Sequence, residues 1–444
     1  MLPGLKRWIL LILFGVLFVV FGVLELLNVH PVFLVIDLIS DFTHDTAKFL
    51  GHHHSGIIAI TAGALFLCYA VAKIAQFVLG AYVPEGRDAI PDVLFRRHQL
   101  GRGPKIVVIG GGTGLSNLLR GLKVFTNNLT AIVTVGDDGG SSGRLREELG
   151  VLPPGDIRNC ITALADEDKL VTELFRYRFK NGQGLEGHSF GNLFLAAIYA
   201  ITGGDMLEAV RVASRVLNSC GQVIPSTLTP LTLVAEMSDG TIIRGESNIG
   251  KSEGRIKHLT AEPIARATPE ATEKIRNADL IILGPGSLYT SIIPNLLISG
   301  IADAVRESSA RKLYVCNVMT QPGETNGYTV GDHIQAIVDH TNTKAEACTK
   351  LLQAILVNSS MVKPPAPNYE PVEFDADRVR QFGVVTIRQP LVSEKLASHH
   401  DSQRLAELVI AWYTNKVSDD NKPGGGSEKP NANLMQRVAS LFVF

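Results

Sequence analysis

The stretch Lys105-Ile106-Val107-Val108-Ile109-Gly110-Gly111-Gly112-Thr113-Gly114 decides the fold. A β-branched run ends in glycines, and a helical pattern, Leu115 to Lys123, follows at once. That is a strand, a glycine turn and a helix start. Backbone N–H groups at such a start lack intrahelical partners and favour an anion, and glycine lets the backbone approach a phosphate with no Cβ in the way. A second apolar run, Leu129 to Val135, ends in Asp137-Asp138-Gly139-Gly140-Ser141-Ser142-Gly143-Arg144. A phosphate loop, then carboxylates at the end of the next strand, is the order of a nucleotide-binding α/β unit. The third glycine of the dinucleotide pattern is missing: counted from Gly110 its place holds Leu115, and from Gly112 it holds Asn117. No Gly-x-x-x-x-Gly-Lys-Ser/Thr occurs either. The turn therefore reads as phosphate- or nucleotide-binding, against an NAD reductase and against a P-loop NTPase. Its bland reading is a glycine turn without a ligand.

Outward from this unit, short β-branched runs at 105–110, 130–136, 231–237, 241–244, 280–283, 312–316, 354–358 and 383–387 read as strands. Helical patterns fall at 157–165, 168–179, 190–202, 205–217, 331–340 and 402–413. Strands divided by helices indicate a doubly wound, mostly parallel, Rossmann-like α/β sheet over 105–417. Ser238-Asp239-Gly240 reads as a hairpin turn, an antiparallel excursion on that sheet. The segment 82–104, with prolines at 84, 91 and 104 and several arginines, reads as a basic linker, and 418–444 as a disordered tail with a short apolar end.

The 444-residue chain balances 42 basic against 43 acidic residues, which leaves no nucleic-acid footprint. Five scattered cysteines, Cys68, Cys160, Cys220, Cys316 and Cys348, fit a reducing compartment and no disulfide framework. Residues 8–27 and 56–80 are apolar, and about 20 such residues span a bilayer. The alternatives are a signal peptide and a buried core helix; two runs with a short separation read better as a transmembrane hairpin over 1–81. Lys6 and Arg7 precede the first run, and Arg87, Arg96, Arg97, Arg102 and Lys105 follow the second. The positive-inside rule then places both termini and the large domain in the cytoplasm, with His52-His53-His54 in the loop between the spans.

Further polar segments fall where strands end or helices begin, and in such sheets ligands bind beyond the carboxyl ends of strands. Asp137 and Asp138 fit either an Asx-turn or a role in holding ribose hydroxyls or Mg²⁺, with Ser141, Ser142 and Arg144 following. Gly284-Pro285-Gly286-Ser287 repeats the glycine-turn plan after a strand, either as a phosphate or sugar contact or as a capped loop. In Pro153-Pro154-Gly155-Asp156-Ile157-Arg158-Asn159, Asp156 reads as a helix cap and Arg158 and Asn159 as ligand candidates. His188, Ser189 and Asn192 make a polar patch at a helix start. Asn317 and Thr320 end a strand and could read a base or sugar edge; Tyr328 could stack on a base or pack in the core. No Ser-His-Asp elbow, HExxH or paired cysteine ligands occur.

These segments in this order resemble the gluconeogenesis factor family: GGGTGLSNLLRGLK at 110–123, TAIVTVGDDGGSSGRLREELG at 130–150, PPGDIRNCITALAD at 153–166, GHSFGNL at 187–193, LIILGPGSLYTSIIPNLL at 280–297 and CNVMTQPGET at 316–325. The resemblance covers about 104–415 and extends to the 2-phospho-L-lactate transferase superfamily, whose enzyme uses Mg²⁺ with a guanine nucleotide. It implies a bacterial UDP-sugar-binding protein, for UDP-N-acetylglucosamine or UDP-glucose, tied to carbon supply, cell-wall precursors and cell shape. By motif, the contacts implied are Gly112, Thr113, Gly114, Asp137, Asp138, Asn192, Gly286, Ser287, Asn317 and Tyr328, with Gly111, Ser141, Ser142, Arg144, Arg158, Asn159, His188, Gly284 and Thr320 as further candidates. Asp137 and Asp138 are the candidate metal ligands. Two functions follow as expectations: a UDP-sugar-binding regulator on the plasma membrane that engages a cytoplasmic enzyme of amino-sugar or cell-wall synthesis, or a Mg²⁺-dependent nucleotide transferase. A homo-oligomer is left open. The soluble members are expected to lack residues before 100, which would make membrane attachment this chain's own departure.

Overall fold

The computed structural model describes residues 5–26, 52–82, 100–165, 169–392 apart from 363, 365 and 367, and 400–414. The expected tail at 418–444 and most of the expected linker lie outside them. The chain divides into two compact units, Met1–Arg96 and Arg97–Phe444.

In the first unit two helices, Leu5–Leu26 and His52–Tyr82, pack antiparallel. A Cβ on Gly63 would meet the Gly15 carbonyl at 2.9 Å, and one on Gly22 would meet the Gly56 carbonyl at 3.0 Å, so glycines set the spacing. One helix among the described residues, over Gly56–Ile74, is long and apolar enough to cross a membrane; Leu11–Val20 is a shorter apolar stretch. His52, His53 and His54 form the first turn of the second helix rather than a loop tip.

The second unit is built on a seven-stranded sheet in the order β10-β9-β8-β7-β1-β2-β3. Its strands are β1 (Ile106–Gly110), β2 (Leu129–Val133), β3 (Gln222–Pro225), β7 (Leu280–Leu283), β8 (Arg311–Val315), β9 (Ala354–Asn358) and β10 (Val385–Gln389), and every pairing is parallel. β1, β2 and β7 are buried along their whole length, as helix-covered parallel strands must be. Each buried Ile, Val or Leu there contributes roughly 1.5–3 kcal/mol. The helix Gly112–Leu122 packs against helices Pro154–Leu164 and Ser402–Tyr413. Gly121 lets it touch the last of these: a Cβ there would meet Ala406 Cβ at 2.8 Å.

From β1 the chain winds one way to β2 and β3, then returns to the other side of β1 as β7. That reversal is the topological switch point, where open α/β sheets bind ligands. Between β3 and β7 lies the excursion. Its hairpin, β4 (Thr232–Met237) and β5 (Ile242–Arg244), turns at Ser238-Asp239-Gly240 as expected, but it does not join the parallel sheet. It pairs with β6 (Ile256–Glu262) in a separate three-stranded sheet. The helical pattern at 168–179 also needs correction. The helix ends at Arg176, and 177–190 doubles back on itself, with Phe179 N donating to His188 O and Gly187 N to Phe179 O, both at 2.9 Å.

Candidate functional site

The carboxyl ends of β1 and β7 carry the two glycine turns, and the turns touch. A Cβ on Gly114 would lie 2.6 Å from the Pro285 carbonyl oxygen, and one on Gly286 would lie 3.1 Å from the Gly111 oxygen. Gly112 adopts φ +67° and Gly284 φ +72°, a region L side chains rarely enter. Against these turns lies a cleft of about 630 Å³, within the size range of small-molecule sites. Its wall holds Gly111, Gly112, Thr113, Gly114, Asp137, Gly286, Ser287, Asn317 and Thr320, so four segments far apart in sequence meet here.

The β8 side braces the second turn. Asn317 Nδ2 donates to Gly286 O at 2.8 Å, and its Oδ1 accepts from Gly286 N at 3.3 Å. Gln321 Nε2 donates to Ser287 Oγ at 2.6 Å. Asn317 was expected to read a base or sugar; its amide is instead spent on the Gly286 backbone, and it positions the turn. Asn317→Ala removes both bonds and is expected to weaken ligand binding about 10-fold, roughly one net hydrogen bond of positioning. Titration of the variant against the wild type checks this.

The opposite wall is acidic. Asp156 is not the helix cap its sequence position suggests: Pro153 occupies the cap and Asp156 is third in the helix. Its Oδ2 accepts from Gly112 N at 2.8 Å, clamping the glycine turn from across the cleft. Burial pushes this carboxyl up to about 6 against the Gly112 hydrogen bond, and nearby Asp137 raises it further. Asp137 Oδ1 accepts from Gly139 N at 2.9 Å, the Asx-turn reading, while it also lines the cleft. Glu246, just after β5, also lines the cleft; burial first, then Asp137 and Glu324, push it up to about 8. Glu324 is buried beneath, accepting from Tyr289 N at 3.2 Å and Thr290 Oγ1 at 3.1 Å, and burial pushes it up to about 7. The sequence gives no sign that Glu246 and Glu324 belong to the site, and it offers Asp156 only as a helix cap. Only Asp156, inside Pro-Pro-Gly-Asp-Ile-Arg-Asn, carried a local signal.

The pair Asp137–Asp138 does not fit a ready metal site. Asp138 Oδ1 is taken by Ser247 N at 2.8 Å and Ser247 Oγ at 2.7 Å, and Asp138 is not part of the cleft wall. Among the described residues no group of three or more His, Cys, Asp or Glu side chains is arranged to hold a metal ion.

The remaining predicted residues lie off the cleft wall. Ser141 Oγ hydrogen-bonds His188 Nδ1 at 3.0 Å and accepts from Asn192 Nδ2 at 3.0 Å. Ser142 lies against Gly155. Arg144, Arg158 and Asn159 gather around the loop 186–189. Gly284 turns the chain out of β7 without lining the cleft. Tyr328 corrects an expectation: it is buried, its hydroxyl 2.9 Å from that of Tyr289, with the Arg255 guanidinium 4.6 Å over its ring. It packs in the core, where no base can stack on it.

Residues 106–392 match the family model described as 2-phospho-L-lactate transferase CofD. The chain belongs to this family. The gluconeogenesis factor of Bacillus subtilis is 48% identical over 320 residues, 70% of this chain and 98% of that protein. A Nostoc sp. protein named "Putative gluconeogenesis factor" is 48% identical over 424 residues, 93% of this chain and 91% of its own length. The crystal structure of a UPF0052 family member from Bacillus halodurans superposes with a TM-score of 0.66 at 46% identity, covering 70% of this chain and all but 1% of its own. These relatives bear out the family read from the motifs. The Nostoc match overturns one expectation. A similarity over 93% of this chain must take in part of the first 82 residues, so a counterpart of the N-terminal segment occurs in that relative, whereas the Bacillus subtilis protein is matched over 98% of its length by only 70% of this chain.

Proposed function

We propose that this chain is a UDP-sugar-binding regulator held on the cytoplasmic face of a bacterial plasma membrane, where it couples carbon supply to cell-wall precursor synthesis and cell shape. The observation that carries the binding half is the contact of two glycine turns across one cleft at the switch point, with Thr113, Gly286 and Ser287 on its wall. A glycine-rich helix start suits the diphosphate of a nucleotide sugar, and the side-chain oxygens beside it suit the sugar. The tether reading rests on the apolar runs 8–27 and 56–80, their basic flanks, and the glycine-spaced helix pair, which is the way helices pack where no hydrophobic effect drives them together. Regulation requires the ligand to favour one conformation, and a partner enzyme of amino-sugar or cell-wall synthesis would read that state.

Calorimetry on the detergent-solubilised full chain tests the binding. UDP-N-acetylglucosamine or UDP-glucose is expected to bind at one saturable site, and at 100-fold over Kd to stabilise the fold by about 2.7 kcal/mol. Absence of both heat and thermal shift at millimolar ligand ends the reading.

The family's description and the carboxylates Asp137, Asp156 and Glu246 favour a second reading, a transferase of phosphorus-containing groups. Turnover of a phospholactate-bearing nucleotide, lost in Asp137→Asn, would establish it.

A further inference from the structure

Several predicted residues that the cleft leaves out gather around the loop 186–191; two of them, Arg144 and Arg158, are cations, and Arg178, which the sequence alone did not point to, joins them. Arg144 Nη2 donates to Glu186 O at 2.7 Å, and Arg178 Nη1 donates to the next carbonyl, Gly187 O. Arg158 Nη1 donates to Ser189 Oγ and its Nη2 to Asn159 Oδ1 at 2.8 Å. Three guanidinium groups thus stand over four consecutive residues. Among the described residues none of the three is in an ion pair, although ten such pairs occur elsewhere in this unit. The carboxylates of Asp137, Asp156 and Glu148 act here only through space.

Like charges crowded without a direct ion pair repel, and the cost shows: after burial, Arg178 is the largest influence holding the Arg158 guanidinium below its usual range, against the opposing pull of Asp156. A second, independent sign is that Arg158 Nε is buried with no acceptor. A buried N–H left unpaired is costly, and more so on a charged group. An anion with several oxygens on the cluster would offset the repulsion among the three guanidinium groups. Ser189, which accepts from Arg158, also caps the helix Phe190–Ile201 through Asn192 N at 3.3 Å, so the positive end of a 12-residue helix faces the same place. Glycine keeps the seat shallow: a Cβ on Gly187 would meet Arg144 Nη2 at 2.9 Å, and one on Gly191 would meet Arg158 Cδ at 2.7 Å.

We propose that Arg144, Arg158 and Arg178 form a second anion seat, separate from the glycine-turn cleft, that takes a small phosphorylated or pyrophosphorylated metabolite. Planar guanidinium forks match phosphate oxygens in pairs, which a diffuse basic surface does not. The seat stands whether or not the cleft binds a UDP-sugar. If both are filled, the protein reads two metabolites at once.

Inorganic pyrophosphate is the probe, titrated calorimetrically into the full chain in detergent. One site is expected, weakened about 10-fold, or 1.4 kcal/mol, by Arg178→Gln. Arg158→Lys, which keeps the charge but loses the Nε–H and the fork, is expected to weaken it comparably. UDP-N-acetylglucosamine, titrated into the same samples, is expected neither to compete with pyrophosphate nor to lose affinity in Arg178→Gln. Pyrophosphate that fails to bind at millimolar concentration, binds both variants as well as wild type, or is displaced by the UDP-sugar overturns the second seat. Failure of the UDP-sugar alone would strike only the cleft reading.

Discussion

Gly114→Val is expected to abolish nucleotide-sugar binding, with Kd rising more than about 100-fold, a loss near 2.7 kcal/mol. The argument is steric. A Cβ at this position would sit 2.6 Å from the Pro285 carbonyl oxygen and 2.9 Å from its carbon. Those are backbone atoms of the facing glycine turn and cannot swing aside as a side-chain tip can. The two turns must part, and the amides and hydroxyls of both lose their common focus. Overpacking of this kind costs typically 1–3 kcal/mol of stability, so the variant should remain folded. Gly101→Ala is the control, since a Cβ there meets nothing within 4 Å. Calorimetry reads the affinity and circular dichroism the fold. A folded Gly114→Val protein that binds with wild-type affinity would remove the glycine turns from the site.

Glu324→Gln is expected to reverse sign with pH. Glu324 is buried, and burial pushes its carboxyl up to about 7, against about 4.3 in an unfolded chain. Between those values the folded chain keeps a proton that the unfolded chain has lost, so stability falls as pH rises from about 4.5 to 7 and then levels off. The decline from this group amounts to roughly 3 kcal/mol. Asp156 and Glu246, also raised, slope the same way. Buried His333 and His340 are lowered by burial and act oppositely: their contribution is present above about 6.5 and is lost as pH falls below it. Glutamine keeps an acceptor for Tyr289 N or Thr290 Oγ1 without the ionisation. The variant should match or trail the wild type near pH 5 and exceed it by roughly 1–3 kcal/mol at pH 8. Melting temperatures from pH 5 to 8.5 check this; parallel curves for the two proteins would contradict it.

The parallel sheet was legible because its strands are buried on both faces and so are written as unbroken β-branched runs. β1, β2, β7, β8 and β9 all stand near their expected places. β3 escaped notice: Gln-Val-Ile-Pro is four residues at a sheet edge and ends in proline. β6 escaped for another reason. A register shift between Glu236 and Met237 breaks the alternation of its partner pairing, and its burial follows no period of two. Short helices such as Pro269–Arg276 and Ala376–Gln381 lack the length for a periodic signal. At the site, the glycine turns were readable because only glycine permits so close an approach of two backbones. The acidic wall was not. Asp156, Glu246 and Glu324 owe their role to burial beside segments far along the chain, and a lone carboxylate in sequence does not disclose its neighbours. Tyr328 and Asn317 show the converse: their residue types suit a ligand, yet the fold spends Tyr328 on its core and the Asn317 amide on bracing Gly286 at the cleft wall.

The reversal of direction beside β1 also sets when this protein can first act. Lys105 N donates to Asp279 at 2.8 Å across 174 positions, and β7 completes the cleft only when it docks against β1 at that distance. Closing so long a loop is slow compared with local pairing. A nascent chain that has β1, β2 and β3 outside the ribosome already owns its first glycine turn, yet has no second wall to set against it. Ligand captured during synthesis would therefore report that translation has passed the residues near 320, and metabolite supply would bear on the last stage of maturation and leave the early ones untouched.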